Sequence, residues 1–179
     1  MSKDYRKKID DVMNQIQYGW VDSKGNRHTE LQGFSSGYAF QFPEELLKSK
    51  LGVCWDQVEL ERKLFANENI HVTPFFIVYY DDKKCPTHTF VIFEEDGKFI
   101  WYEHAWEKFA GWHKFDSLES ALETIRNNFI EVENIDVKNP LNLCVYMNYP
   151  TPDKKLGCLD FYHHCEDKRN PRFRFKGTK

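Results

Sequence analysis

Apolar residues recur at Tyr5, Ile9, Val12, Met13 and Ile16, one stripe of a helix, so the chain opens on an amphipathic helix. The next stretch, YGWVDSKGNRHTEL, has strand-like ends around a polar centre and predicts a short hairpin turning at Lys24-Gly25-Asn26. Pro43 ahead of EELLKSK marks a short helix, because proline fits a first turn whose N–H groups have no partner. A second long helix is expected from Trp55 to Ala66. Trp55, Val58 and Phe65 line one side of it, with Leu60 and Leu64 flanking. Its acids, Asp56, Glu59 and Glu61, come early and Arg62 and Lys63 come late, an order that suits the helix dipole.

The pattern then changes to strands: HVTPFFIVYY, THTFVIFEE and KFIWYEH. Asp96-Gly97 joins the last two as a tight hairpin turn. Asp116 and Glu119 resemble a capping pair for a third helix, in which Leu118, Leu122, Ile125 and Phe129 face the core. LNLCVYM reads as a final strand. Helices and strands do not alternate strictly, which predicts an α+β fold with an antiparallel sheet, in a single domain over residues 1–179.

Composition changes this picture little. A chain of 179 residues with 41% hydrophobic and 30% charged residues can bury one core without staples. A net charge of −3 provides no global field favouring nucleic acid or membrane, and neither is expected as a partner. The basic end, DKRNPRFRFKGTK, reads as a solvated tail. No apolar run has the length of a membrane span, and MSKDYRKKIDDV lacks a signal-peptide centre, so a cytoplasmic protein is expected. The five cysteines, Cys54, Cys85, Cys144, Cys158 and Cys165, are irregularly spaced and expected to be thiols.

One cysteine stands apart. In GVCWDQVELERKLF, Cys54 follows Gly52 and sits at the start of a helix, where unpaired N–H groups and the dipole favour a thiolate and can hold an oxyanion. A structural cysteine does not need that position. The hairpin then selects a histidine. With Asp96 and Gly97 as turn residues, Glu95 opposes Lys98, Ile92 opposes Trp101 and Phe90 opposes Glu103. His88, Phe90, Ile92, Trp101, Glu103 and Ala105 share one face, with Glu103 the diagonal neighbour of His88. His104 points to the other face. A carboxylate beside an imidazole fixes its tautomer and stabilises its charged form.

These residues resemble the transglutaminase-like superfamily of cysteine enzymes, over about Gly52 to Trp106. In that family a glycine-x-cysteine opens a core helix, a histidine begins a strand, and an acid lies about fifteen positions further on. GVCW supplies Cys54, THTF supplies His88 and WYEH supplies Glu103, with 103 − 88 = 15. The resemblance implies a papain-like core spanning about residues 36–148, its antiparallel sheet packed on the helix that starts at the nucleophile. It implies a Cys54–His88–Glu103 triad that forms a thioester with a peptide or protein substrate and needs no cofactor. Protease, deamidase, amidase and cross-linking outcomes all remain open. The chain differs from the family in having glutamate where aspartate is usual, and Thr89-Phe90 after the histidine where alanine and tryptophan are frequent. HAWEKFAGWHKFD offers a second pair, His104 with Asp116. It ranks behind the first because 116 − 104 = 12 is short and EKFAGW is a poorer strand.

Three further readings complete the set. Gln41, in the apolar stretch AFQFPEEL, is a candidate second oxyanion donor. GCLDFYHHCEDK carries Cys158, His163, His164 and Cys165, ligand types for zinc without any paired C-x-x-C. The alternative function is therefore a non-catalytic peptide-binding module, stapled by zinc near the C-terminus. No calcium-loop pattern is visible, so no metal is expected in the triad site.

Overall fold

The computed structural model describes residues 4–82 and 85–175. The chain begins with α1 (Asp4–Met13) and three two-residue strands, β1 (Gln17–Tyr18), β2 (Trp20–Val21) and β3 (Arg27–His28). Next come α2 (Phe34–Gly37), α3 (Pro43–Ser49), β4 (Leu51–Gly52) and α4 (Cys54–Asn67). The sheet strands follow: β5 (Thr73–Tyr79), β6 (Thr87–Glu95), β7 (Lys98–Glu103) and β8 (Gly111–Phe115). The remainder is α5 (Leu118–Val132), β9 (Leu143–Met147), α6 (Cys158–Cys165) and β10 (Arg172–Phe173).

Side-chain alternation along the strands builds two cores on one sheet. The sheet has six antiparallel strands in the order β10-β9-β5-β6-β7-β8. Phe76, Val78, Val91, Phe93, Ile100 and Tyr102 pack towards α4, whereas Phe75, Ile77, Phe90, Ile92 and Trp101 pack towards α5. A shift of one residue would exchange the two sets, so the hydrophobic pattern specifies the register. The hairpin turn has φ of 52° at Asp96 and 69° at Gly97, the pair of left-handed residues that a two-residue turn between right-twisted strands requires. It places Glu95 opposite Lys98 and Ile92 opposite Trp101, as read from the sequence.

Helix α4 differs from the amphipathic helix expected. Every residue from Cys54 to Glu61 is buried, because α1 and α3 cover what the sheet does not. Its early acids, read for their order along the helix dipole, are interior groups. The cap of α5 is Ser117 with Ser120, whose side chains and N–H groups bond each other reciprocally. Asp116 instead pairs with Lys98.

Among the elements not anticipated are β8, α6 and β10. β8 is an edge strand bonded on one side only, so its half-buried residues carry a weak pattern. α6 buries only Phe161 and Cys165. β10 corrects the reading of a solvated tail: Arg172 and Phe173 pair with Tyr146 and Val145, and Phe175 is buried in the α5-side core. LNLCVYM, as β9, is thus not the final strand. Among the described residues no helix is long and apolar enough to cross a membrane.

Candidate functional site

The approach to Cys54 is built by a short parallel pair. β1 and β4 align Gln17 with Leu51 and Tyr18 with Gly52. Gly52 has no room for a side chain: a Cβ there would lie 2.6 Å from Leu46 Cδ1 and 3.0 Å from Asp56 Cβ. Asp56 fastens the turn that follows. Its fully buried carboxylate accepts from the Val53 N–H at 3.0 Å, the Gln41 N–H at 2.9 Å and the Tyr38 hydroxyl at 2.7 Å. Burial nevertheless raises its pKa to about 7, against those hydrogen bonds. The result is a fixed first turn with Cys54 as its first residue, at the positive end of a fourteen-residue helix.

His88 and Glu103 meet where the β6–β7 ladder opens. The ladder runs from Glu95–Lys98 to Val91–Tyr102, and His88 lies beyond it on the part of β6 paired with β5. Its Nε2 is 2.8 Å from Glu103 Oε2, and both side chains are almost wholly buried. The second oxygen of Glu103 accepts the Trp106 N–H at 2.8 Å. The Trp106 ring in turn stacks on the imidazole, 3.5 Å between centroids and 14° between planes. Burial works against charge on His88. The Glu103 carboxylate and a hydrogen bond with Cys54 outweigh it and raise the ring to about 10. With Nε2 engaged by Glu103, the ring nitrogen left for Cys54 is Nδ1.

Other acids and hydroxyls close around this pair. Glu61, two turns along α4 from Cys54, is 3% exposed. Burial, and then the like charge of Glu103, raise its pKa well above the usual carboxylate range. Tyr18 keeps 46% of its surface exposed, and Cys54, Asp56 and Glu103 are among the charges that act on its hydroxyl. Burial, followed by the proximity of Cys54, raises its pKa well above the ordinary value. Its register with Gly52 sets this half-exposed side chain two residues from Cys54. The sequence did signal Tyr18, but only as a residue of a strand; its pairing with Gly52 is a long-range contact invisible to local pattern.

The remaining sequence candidates fall elsewhere. The Gln41 amide nitrogen donates to the Leu51 carbonyl at 2.7 Å, so this side chain braces the strand that leads to Cys54. His104 lies 2.8 Å from Gln57 Oε1 through Nδ1, and burial lowers its pKa. Asp116 is on the surface with Lys98, so His104 and Asp116 are not brought together. In α6, His164 Nε2 contacts the Pro150 carbonyl at 2.6 Å and Cys165 is sealed in the core. Among the described residues no three of His, Cys, Asp and Glu are grouped to hold a metal ion. All five cysteines are unpaired.

No known family model matches the chain, and no curated protein matches it. The geometry of Cys54, His88 and Glu103 therefore stands as the principal guide to function.

Proposed function

We propose that the protein is a cysteine hydrolase or acyltransferase acting on peptide or protein amides, with a transglutaminase-like, papain-like core. The observation that carries the reading is one buried imidazole, His88, between a helix-starting thiol and a carboxylate whose two oxygens are both engaged.

The chemistry follows from that arrangement. The Cys54 sulfur attacks the amide carbonyl carbon, with its proton held on His88. The carbonyl oxygen becomes an oxyanion, accepting from N–H groups at the start of α4 and from the Tyr18 hydroxyl. The C–N bond breaks as His88 passes its proton to the leaving amine, and a thioester remains. Water, or a second amine, then adds to the thioester while His88 takes the proton. The C–S bond breaks, giving the acid or a new amide and restoring Cys54. Throughout, Glu103 keeps the ring oriented and stabilises its charge, and Trp106 shields one ring face from solvent.

The test is a peptide library read by mass spectrometry for cleavage, for ammonia release and for an acyl adduct on Cys54. Adduct formation that disappears in Cys54→Ala supports the reading. A Cys54→Ala protein with full activity on a verified substrate refutes it. The non-catalytic peptide-binding alternative corresponds to tight peptide binding with no adduct and no turnover.

A further inference from the structure

The far end of β6 carries a second recess. Six residues separate His88 from Glu94 along the strand, about 20 Å at ~3.3 Å per residue. At this end α5 starts with Leu118, and the last part of its sheet face is left bare. A cavity of about 560 Å³ fills the gap, inside the range of about 300–1,000 Å³ typical of small-molecule sites. Its floor is Phe75, Ile92, Phe99 and Met147, and Leu118 forms one wall. Phe99, Leu118 and Met147 join the α5-side core yet stay partly exposed, so their apolar surface faces the recess.

The rim is mainly acidic. Glu94 and Asp96 line the recess and are exposed, and among the described residues neither has an ion-pair partner. Glu95, which also lines the recess, is paired with Arg6, and Lys98 across the hairpin is paired with Asp116. His71 is the one basic side chain lining the recess. Aromatic floor and acidic rim together favour the same ligand: ring faces attract a cation, and so do carboxylates.

We propose that this recess binds an organic cation, an amine or quaternary ammonium carried on an apolar or aromatic body. The charged group sits at Glu94 and Asp96, and the body lies over Phe99 and Met147. The site is independent of the acyl-transfer reading, lying about 20 Å along β6 from His88.

The test is a titration of the full chain followed by two-dimensional NMR, with three probes of one shape: phenethylammonium, 2-phenylethanol and 3-phenylpropionate. The ammonium is expected to bind about tenfold more tightly than the alcohol, with the carboxylate weakest and the shifts centred on Phe99, Leu118 and Met147. The surface double variant Glu94→Gln/Asp96→Asn is expected to erase the preference for the ammonium while keeping alcohol binding. Leu118→Trp, which fills the recess, is expected to remove both. Equal binding of ammonium and alcohol, shifts centred elsewhere, or a preference that survives the double variant overturns the proposal.

Discussion

Replacing Glu103 with glutamine looks conservative, and the structure says it is not. Glu103 accepts twice, from His88 Nε2 and from the Trp106 N–H. Glutamine has one acceptor oxygen, so its NH2 must face one of those donors. The variant loses a charge and a hydrogen bond together. His88 is held at about 10 instead of the ordinary 6.5 by Glu103 and Cys54 together, so Glu103 supplies only part of the roughly 5 kcal/mol that this shift represents at about 1.4 kcal/mol per tenfold. The folded pKa is raised, so this stability is fully present below pH 6.5 and is lost as pH rises through about 10. The assay is denaturant unfolding of both proteins at pH 6 and pH 10, in a Cys54→Ala background that removes the share of the thiol. Glu103→Gln is expected to cost about 3–5 kcal/mol at pH 6, as for a broken buried pair. At pH 10 the cost should shrink to about 1 kcal/mol, a single lost hydrogen bond. On any verified substrate, kcat/KM of the Cys54 protein should fall by about two to three orders of magnitude, less than the roughly four of the best-known hydroxyl triad. An equal cost at pH 6 and pH 10 would refute the claim that Glu103 acts by holding charge on His88.

Other expectations follow from the same geometry. Iodoacetamide near neutral pH should modify Cys54 far faster than the other four thiols, as peptide mapping can read; uniform labelling would remove the case for an activated nucleophile. His104→Gln and Asp116→Asn should leave kcat/KM nearly unchanged with normal circular dichroism, and a dead His104→Gln would return the site to the second pair. Tyr18→Phe should lower kcat with little change in KM, since the hydroxyl is needed once the oxyanion forms; a loss confined to KM argues instead for substrate contact. Glu61→Gln should stabilise the protein at pH 8, on the order of 1–3 kcal/mol, by removing the desolvation cost of a buried charge, and have little effect at pH 4. The folded pKa of Glu61 is raised, so its cost begins as pH climbs above the unfolded value near 4.5. Thermal unfolding at the two pH values gives the answer, and an equal gain at both would exclude ionisation as the cause.

The hairpin was the most legible part of the chain because its information is local. Asp96-Gly97 fixes the turn, the turn fixes the register, and the register brings Glu103 to His88. Cys54 was legible for a similar reason, as a glycine, a cysteine and a helix start in succession. What escaped depended on distant partners. Edge strand β8 has neighbours on one side only, and its half-burial leaves little alternation to read. β10 exists because β9 offers a free edge, which nothing near Arg172 announces. Gln41 was chosen for being a polar side chain ahead of the nucleophile, whereas the carbonyl it holds, that of Leu51, comes from the strand folded against it. Tyr18 needed the β1–β4 pairing to be seen at all. The acids of α4 were read only for their order along the helix dipole; that they are buried depends on α1, α3 and the sheet, which local pattern does not show.

The stack of Trp106 on His88 also makes the site observable by light. An imidazolium in contact with an indole quenches its emission more strongly than a neutral imidazole does, so the proton on His88 is written into the fluorescence of Trp106. Trp20 and Trp101 stack on histidines too, at 4.0 Å and 4.5 Å, and contribute their own signals. Subtracting the emission of Trp106→Phe isolates the ring beside Glu103. Its brightness should stay low through neutrality and rise only as pH approaches about 10. A steady reading of the charge state of His88 is thus available with no substrate in hand, and a ligand that displaces the Cys54 contact would announce itself as a change in colour or intensity.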